Sequence, residues 1–132
     1  MKLKIRGKTS KGAIQLTVQH ALEVRLQKHA ATNWKDQCRG VIVRFRGAFA
    51  YVDAFRAENF YMPGTTPEQR AEIDATPTHL CRLRYLGSAD RWEYAFFKYS
   101  DEKYEPSFGM SGSFVVTPEE AFDTSALAYL QG

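Results

Sequence analysis

Four groups of residues in this chain are of types that do chemistry elsewhere: a GMSGS run, a GKTS run, two carboxylates among arginines, and an alternation of arginine with aromatics. Gly109 to Ser113 comes near the G-x-S-x-G turn that presents a nucleophilic serine, but Ser113 stands where that turn needs its second glycine. His79 is of the right type for a base, yet nothing in the sequence brings it to Ser111, and the run reads as a turn feeding the last strand and helix. GKTS, at Gly7 to Ser10, lacks the glycine that a phosphate loop carries five residues earlier; Lys2 stands there. His20 and His29, nine positions apart, point to opposite sides of a helix and have no His or Cys partner at ligand spacing, so neither a metal nor a cofactor is expected. Asp53 and Glu93 sit among arginines that would hold both ionised, which suits cross-strand charge pairing such as Arg84 with Glu93 better than acid and base roles.

The fourth group carries the functional expectation. Arg44, Arg46, Arg82 and Arg84, with Phe49, Tyr51 and Phe97, fall on one surface if the two segments that hold them lie side by side in one sheet. Arginine offers planar donors to carboxylate and phosphate, and aromatics offer stacking area. The competing readings of such a face are a solvated or helix-covered surface, a protein interface, and a nucleic-acid surface.

The elements that must position these residues are two hairpins. In Val41 to Arg56, a two-residue loop at Gly47 and Ala48 places Phe45 opposite Ala50, Val43 opposite Val52 and Val41 opposite Ala54, with glycine first as a type II′ turn requires. Val41, Val43, Phe45, Ala50, Val52 and Ala54 then share an apolar face, and Arg44, Arg46, Phe49, Tyr51 and Asp53 share the other. In His79 to Tyr99, a loop at Gly87 to Asp90 places Leu86 opposite Arg91, Tyr85 opposite Trp92, Leu83 opposite Tyr94 and Cys81 opposite Phe96. A slip of one residue would mix the two faces, so the apolar pattern selects the register.

Around the hairpins, Ile14, Val18, Ala21, Leu22 and Leu26 form a helical stripe, and a helix is expected over 12–31, although the same stretch also alternates like a strand. Thr66, Pro67 and Gln69 spell a capping box for a short helix that Pro77 ends. SDEKYEPS, Ser100 to Ser107, reads as a polar loop, Ser113 to Val116 as a short strand, and Thr117, Pro118 and Glu120 open a terminal helix over 121–130. Lys2 to Arg6 alternates as an edge strand or a basic tail would. The expected fold is α+β: one domain over 1–132, with a mostly antiparallel sheet of four to five strands packed against an N-terminal and a C-terminal helix.

Net charge is +3, but residues 1–46 hold eleven Lys and Arg against two acids, and 47–132 hold seven against thirteen. That asymmetry suits either a polyanion partner or neutralisation within the folded domain. No run approaches the roughly 18 apolar residues of a membrane span, and no apolar segment follows the basic N-terminus, so no membrane association and a cytoplasmic location are expected. Two cysteines make no disulfide framework, and Cys81 falls on the apolar hairpin face as a buried thiol.

The strings FRGAFAYVD, CRLRYLGSADRW, DEKYE and TPEEAFD resemble those of a group of short uncharacterised bacterial proteins, over most of the chain after Val41. The resemblance implies a complete bacterial polypeptide and assigns no activity or functional residue. From the residues, the expectation is a non-enzymatic binding module that meets a protein partner, a second copy or nucleic acid through Arg44, Arg46, Tyr51, Arg82, Arg84 and Phe97. The alternative is a small-molecule carrier or enzyme with an apolar pocket between helix and sheet near Tyr85, Trp92 and Tyr94.

Overall fold

The computed structural model describes residues 12–131, and the expectation for Lys2 to Arg6 lies outside the described residues. Helix α1 runs Leu16–Asn33. It starts later than the stripe predicts because residues 12–15 are an approach to the helix: Gly12 takes φ 81°, and the Ile14 amide donates to the Gly47 carbonyl at 3.1 Å. The competing strand pattern loses because Leu22, Leu26 and Ala30, at helical spacing, reach one core.

Strands β1 (Cys38–Arg46) and β2 (Phe49–Arg56) form the first hairpin in the expected register, closed on the Arg46–Phe49 pair. Gly47 takes φ 59° while Ala48 stays at negative φ, the signature of a type II′ turn. Helix α2 (Pro67–Ala75) carries the full capping box of Thr66 and Gln69. Strands β3 (Thr78–Ser88) and β4 (Arg91–Lys98) keep the predicted pairs from Cys81–Phe96 to Tyr85–Trp92. The loop differs: Ser88, not Leu86, faces Arg91. Leu86 and Gly87 form a bulge, with Gly87 at φ 90°, so a two-residue turn replaces the expected four-residue loop.

The predicted polar loop after Tyr99 is instead strand β5 (Lys103–Pro106), paired with the end of β4 after a turn in which Glu102 takes φ 52°. Strand β6 (Val115–Val116) pairs with the start of β4, and helix α3 (Pro118–Tyr129) follows with Thr117 as its cap. The six strands make one antiparallel sheet in the order β1-β2-β3-β4-β5, with β6 beside β4, so the two hairpins do lie side by side.

Helices α1 and α3 cover one face of this sheet. Leu22, Leu26 and Ala30 of α1 and Ala121, Phe122 and Ala126 of α3 meet Val41, Val43, Val52, Cys81, Leu83, Trp92 and Tyr94 in one core. Inside it the Tyr94 hydroxyl and Ser125 Oγ share a hydrogen bond of 2.7 Å. Arg25 ties the layers at the rim: its guanidinium donates to both Glu119 oxygens, to Asp90 and to the Ala89 carbonyl. Helix α2 buries no residue and stands at one end of the sheet, where Arg39 donates to the Asp74 carbonyl. The other sheet face is thereby left open.

Candidate binding face

Side chains alternate along each strand, so the register that buries the apolar face places Arg44, Arg46, Phe49, Tyr51, Asp53, Arg82, Arg84, Glu93 and Phe97 together on the open side. All six residues expected to form the site are on this face. They are not free side chains on a flat surface. The Arg82 guanidinium lies 4.6 Å from the centre of the Phe49 ring, and that of Arg44 lies 5.2 Å from the centre of the Tyr51 ring. Arg39 covers Phe55 in the same way at 4.7 Å. Each contact is worth about 0.5–1 kcal/mol at an exposed site. Arg84 donates to Glu93 at 3.2 Å, the cross-strand pairing expected for these two.

Tyr104 of β5 stands at the centre of the face. Its ring meets Tyr51 at 5.3 Å and Phe97 at 5.0 Å, both edge to face, and its hydroxyl accepts from Arg44 at 3.5 Å. Burial first, and then the nearby Asp53 charge, push its phenol up to about 12. Beneath these groups Asp53 is only 2% exposed. Its carboxylate accepts from Arg44 Nε at 3.2 Å and from His79 Nδ1 at 2.9 Å. A carboxylate only accepts, so His79 donates from Nδ1. The His79 ring lies 4.8 Å from Phe97. Burial opposes the charge of Arg44, but the attraction of Asp53 and the hydrogen bond between them outweigh it, and the guanidinium pKa is raised.

Two members of this constellation, His79 and Tyr104, are not placed on the face by the sequence pattern. His79 would face the core by simple alternation. The register shifts between Val52 and Asp53, so that Leu80 and Cys81 both point inward, each 0% exposed, and His79 comes out opposite Asp53. Two adjacent apolar residues, Leu80 and Cys81, were the available signal for that bulge. Tyr104 was hidden in a segment with one large apolar residue in four. Asp53 was placed on the right face but with its burial unforeseen.

Beside the arginines a groove of about 390 Å³ runs between Phe49, Arg82, Arg84, Glu93, Pro106 and Phe114. The opposite seam holds a smaller apolar pocket of about 170 Å³ between α1 and the second hairpin, lined by Val18, Ala21, Leu22, Tyr85 and Trp92, with Tyr94 outside it. His20 is exposed, whereas His29 Nε2 donates to Asp123 Oδ1, which also accepts from Trp34 Nε1. Among the described residues no three His, Cys, Asp or Glu side chains gather closely enough to hold a metal ion. No helix among them is long and apolar enough to cross a membrane. Set against family models, curated proteins and solved structures, the chain finds no match in any of the three.

Proposed function

We propose that the protein is a non-enzymatic interaction module that receives an acidic protein partner on its open sheet face. The observation that carries this reading is the way the arginines are held. Arg44 and Arg82 sit over Tyr51 and Phe49, so those ring faces are taken, while the guanidinium N–H groups not already donating to Asp53 and Tyr104 remain for a partner. Four arginines, Arg44, Arg46, Arg82 and Arg84, share the face with two carboxylates, Asp53 and Glu93. Such pre-placed forks favour bidentate contacts to carboxylates, at little further entropic cost. Bases would need the ring faces that the guanidiniums occupy, which places nucleic acid second.

The test is fluorescence anisotropy of a labelled Gly-Glu repeat peptide and of mixed-sequence single-stranded DNA and RNA, at low and moderate salt. The variant with Arg44, Arg46, Arg82 and Arg84 replaced by alanine serves as the control. Peptide binding that disappears in the variant supports the reading. Peptide binding that survives the variant removes it, and tighter, steeply salt-dependent binding of RNA or DNA hands the face to nucleic acid. The pocket at Tyr85 and Trp92 favours a second reading, a small apolar ligand. At about 170 Å³ it falls below the ~300 Å³ at which drug-sized sites begin, so it suits a ligand of only a few heavy atoms.

A further inference from the structure

We infer that the free edge of β1, with the groove between it and α1, is a strand-addition site for an extended partner segment that alternates acidic and apolar side chains. The inference rests on the reading of the open face as an acceptor of acidic groups, and it names how the partner is held.

Among the described residues β1 pairs only with β2, and it is nine residues long. The two-residue loop makes Arg46–Phe49 a hydrogen-bonded pair, so the ladder to β2 uses the backbone of Ile42, Arg44 and Arg46. The N–H and C=O groups of Val41, Val43 and Phe45 therefore point to the open side, where a partner strand would satisfy them. Such main-chain pairing gives affinity without regard to sequence, and alternate side chains then set specificity.

Both sets of side chains of an added strand have a place to go. Toward the helices, a groove of about 450 Å³ has Ala30, Ala31, Cys38 and Val41 along its walls, with Gln27, Lys35 and Arg39 at its polar side. Leu16 and Val24 lie on the same side of α1 as Gln27 by helical spacing, and both are exposed, so apolar side chains directed inward meet these and the alanines, with the stems of Lys35 and Arg39 beside them. Toward the open face, the added strand runs beside Arg44 and Arg46, and β1 carries no acid. Acidic side chains on that side complete the charge. The same arithmetic disfavours a second copy as occupant, because pairing two β1 edges would bring Arg44 and Arg46 of both copies together.

The probe is a fluorescein-labelled eight-residue peptide of alternating valine and glutamate with blocked ends, compared with a peptide of equal composition in two blocks and with the Gly-Glu repeat. Two variants test the site. Val43→Pro removes an N–H that points away from β2, leaving the ladder to β2 intact. Ala31→Trp, at an exposed helical position, fills the groove. Thermal melts followed by circular dichroism identify any variant that fails to fold.

The expected result is binding of the alternating peptide that exceeds the block peptide and falls at least tenfold in each folded variant. Equal binding of alternating and block peptides, or wild-type binding in both variants, overturns the inference. If the Gly-Glu repeat still binds through the four arginines in that case, the reading of the open face survives alone; if neither peptide binds, both fall. A concentration-dependent dimer in sedimentation that Val43→Pro dissolves would assign the edge to a second copy and also overturn the inference.

Discussion

Replacing Asp53 by asparagine is expected to make the protein less stable and, at the same time, a better binder of acidic peptides. The shape is kept and one charge is removed. On the stability side, the substitution weakens two hydrogen bonds, from Arg44 Nε and His79 Nδ1, at a carboxylate that is 2% exposed. Hydrogen bonds to charged groups contribute about 1.5–3 kcal/mol, but the Arg44 side chain is 52% exposed and rehydrates, so a net loss of about 1–2 kcal/mol is expected. With a urea slope of about 1–3 kcal/mol/M, the unfolding midpoint drops by roughly 0.3–2 M at unchanged slope. On the binding side, the face loses one of its two carboxylates. For a ligand charge about 8 Å away, Coulomb's law gives ~2 kcal/mol at an effective dielectric of ~20 and ~0.5 kcal/mol in water, a gain of roughly two- to thirty-fold in affinity. The assay is paired: urea denaturation by tryptophan fluorescence, and anisotropy of the Gly-Glu peptide at low salt. A variant as stable as wild type refutes the buried-acceptor argument. A variant that folds but binds more weakly refutes the view that Asp53 merely neutralises Arg44.

Further outcomes follow from other parts of the fold. Arg25→Lys keeps the charge but not the fork that donates to Glu119, Asp90 and Ala89, and is expected to cost about 1–2 kcal/mol in urea unfolding. A methyl group at Gly109 would sit 2.6 Å from Val116 Cγ1 and against the Glu120 carboxylate that holds the Ser111 amide, so Gly109→Ala is expected to lower the melting temperature by several degrees. Burial raises the phenol pKa values of Tyr94, Tyr99 and Tyr129, and lifts Tyr104 to about 12. The unfolded chain therefore loses these protons first, and stability present below about pH 10 is lost as pH rises toward about 12, which urea midpoints measured across that range will report. Arg82→Ala bares the face of Phe49: it should weaken acidic-peptide binding severalfold while leaving or improving single-stranded RNA binding, and a parallel fall in both would mean that phosphate contacts dominate.

The hairpin registers were legible because a buried sheet face imposes a period of two on apolar residues, and the pairs from Val41–Ala54 to Phe45–Ala50 and from Cys81–Phe96 to Tyr85–Trp92 all obey it. Local chemistry sufficed for Thr66 and Thr117, whose hydroxyls accept from Gln69 and Glu120 as their spacing implies. What stayed hidden were departures from the period. Leu80 and Cys81 point the same way, Leu86 and Gly87 add a bulge, and each shift re-aims residues that alternation misplaces. Strand β5 has too little apolar pattern of its own; its order comes from pairing with β4, a tertiary effect that no window of four residues contains. The face could be named from sequence, but its centre, Asp53 with His79 and Tyr104, depends on one bulge and one unforeseen strand.

That dependence bears on what the face recognises. An alternation of arginine and aromatic residues is read equally well as a stacking platform or as a set of donors, because composition does not say which surface of each ring is free. In the folded chain the rings of Phe49, Tyr51 and Phe55 each lie under a guanidinium, while Tyr51, Phe97 and Tyr104 use their edges and faces on one another. A base could stack on Phe49 only by displacing Arg82, so about 0.5–1 kcal/mol of cation–π attraction is subtracted from the ~1–3 kcal/mol that stacking returns, which lessens the gain without cancelling it. A carboxylate meets the same Arg82 in its plane and displaces nothing. The aromatic residues thus lie under the arginines, and the proposed preference for acidic side chains rests on donors that are already set when the partner arrives.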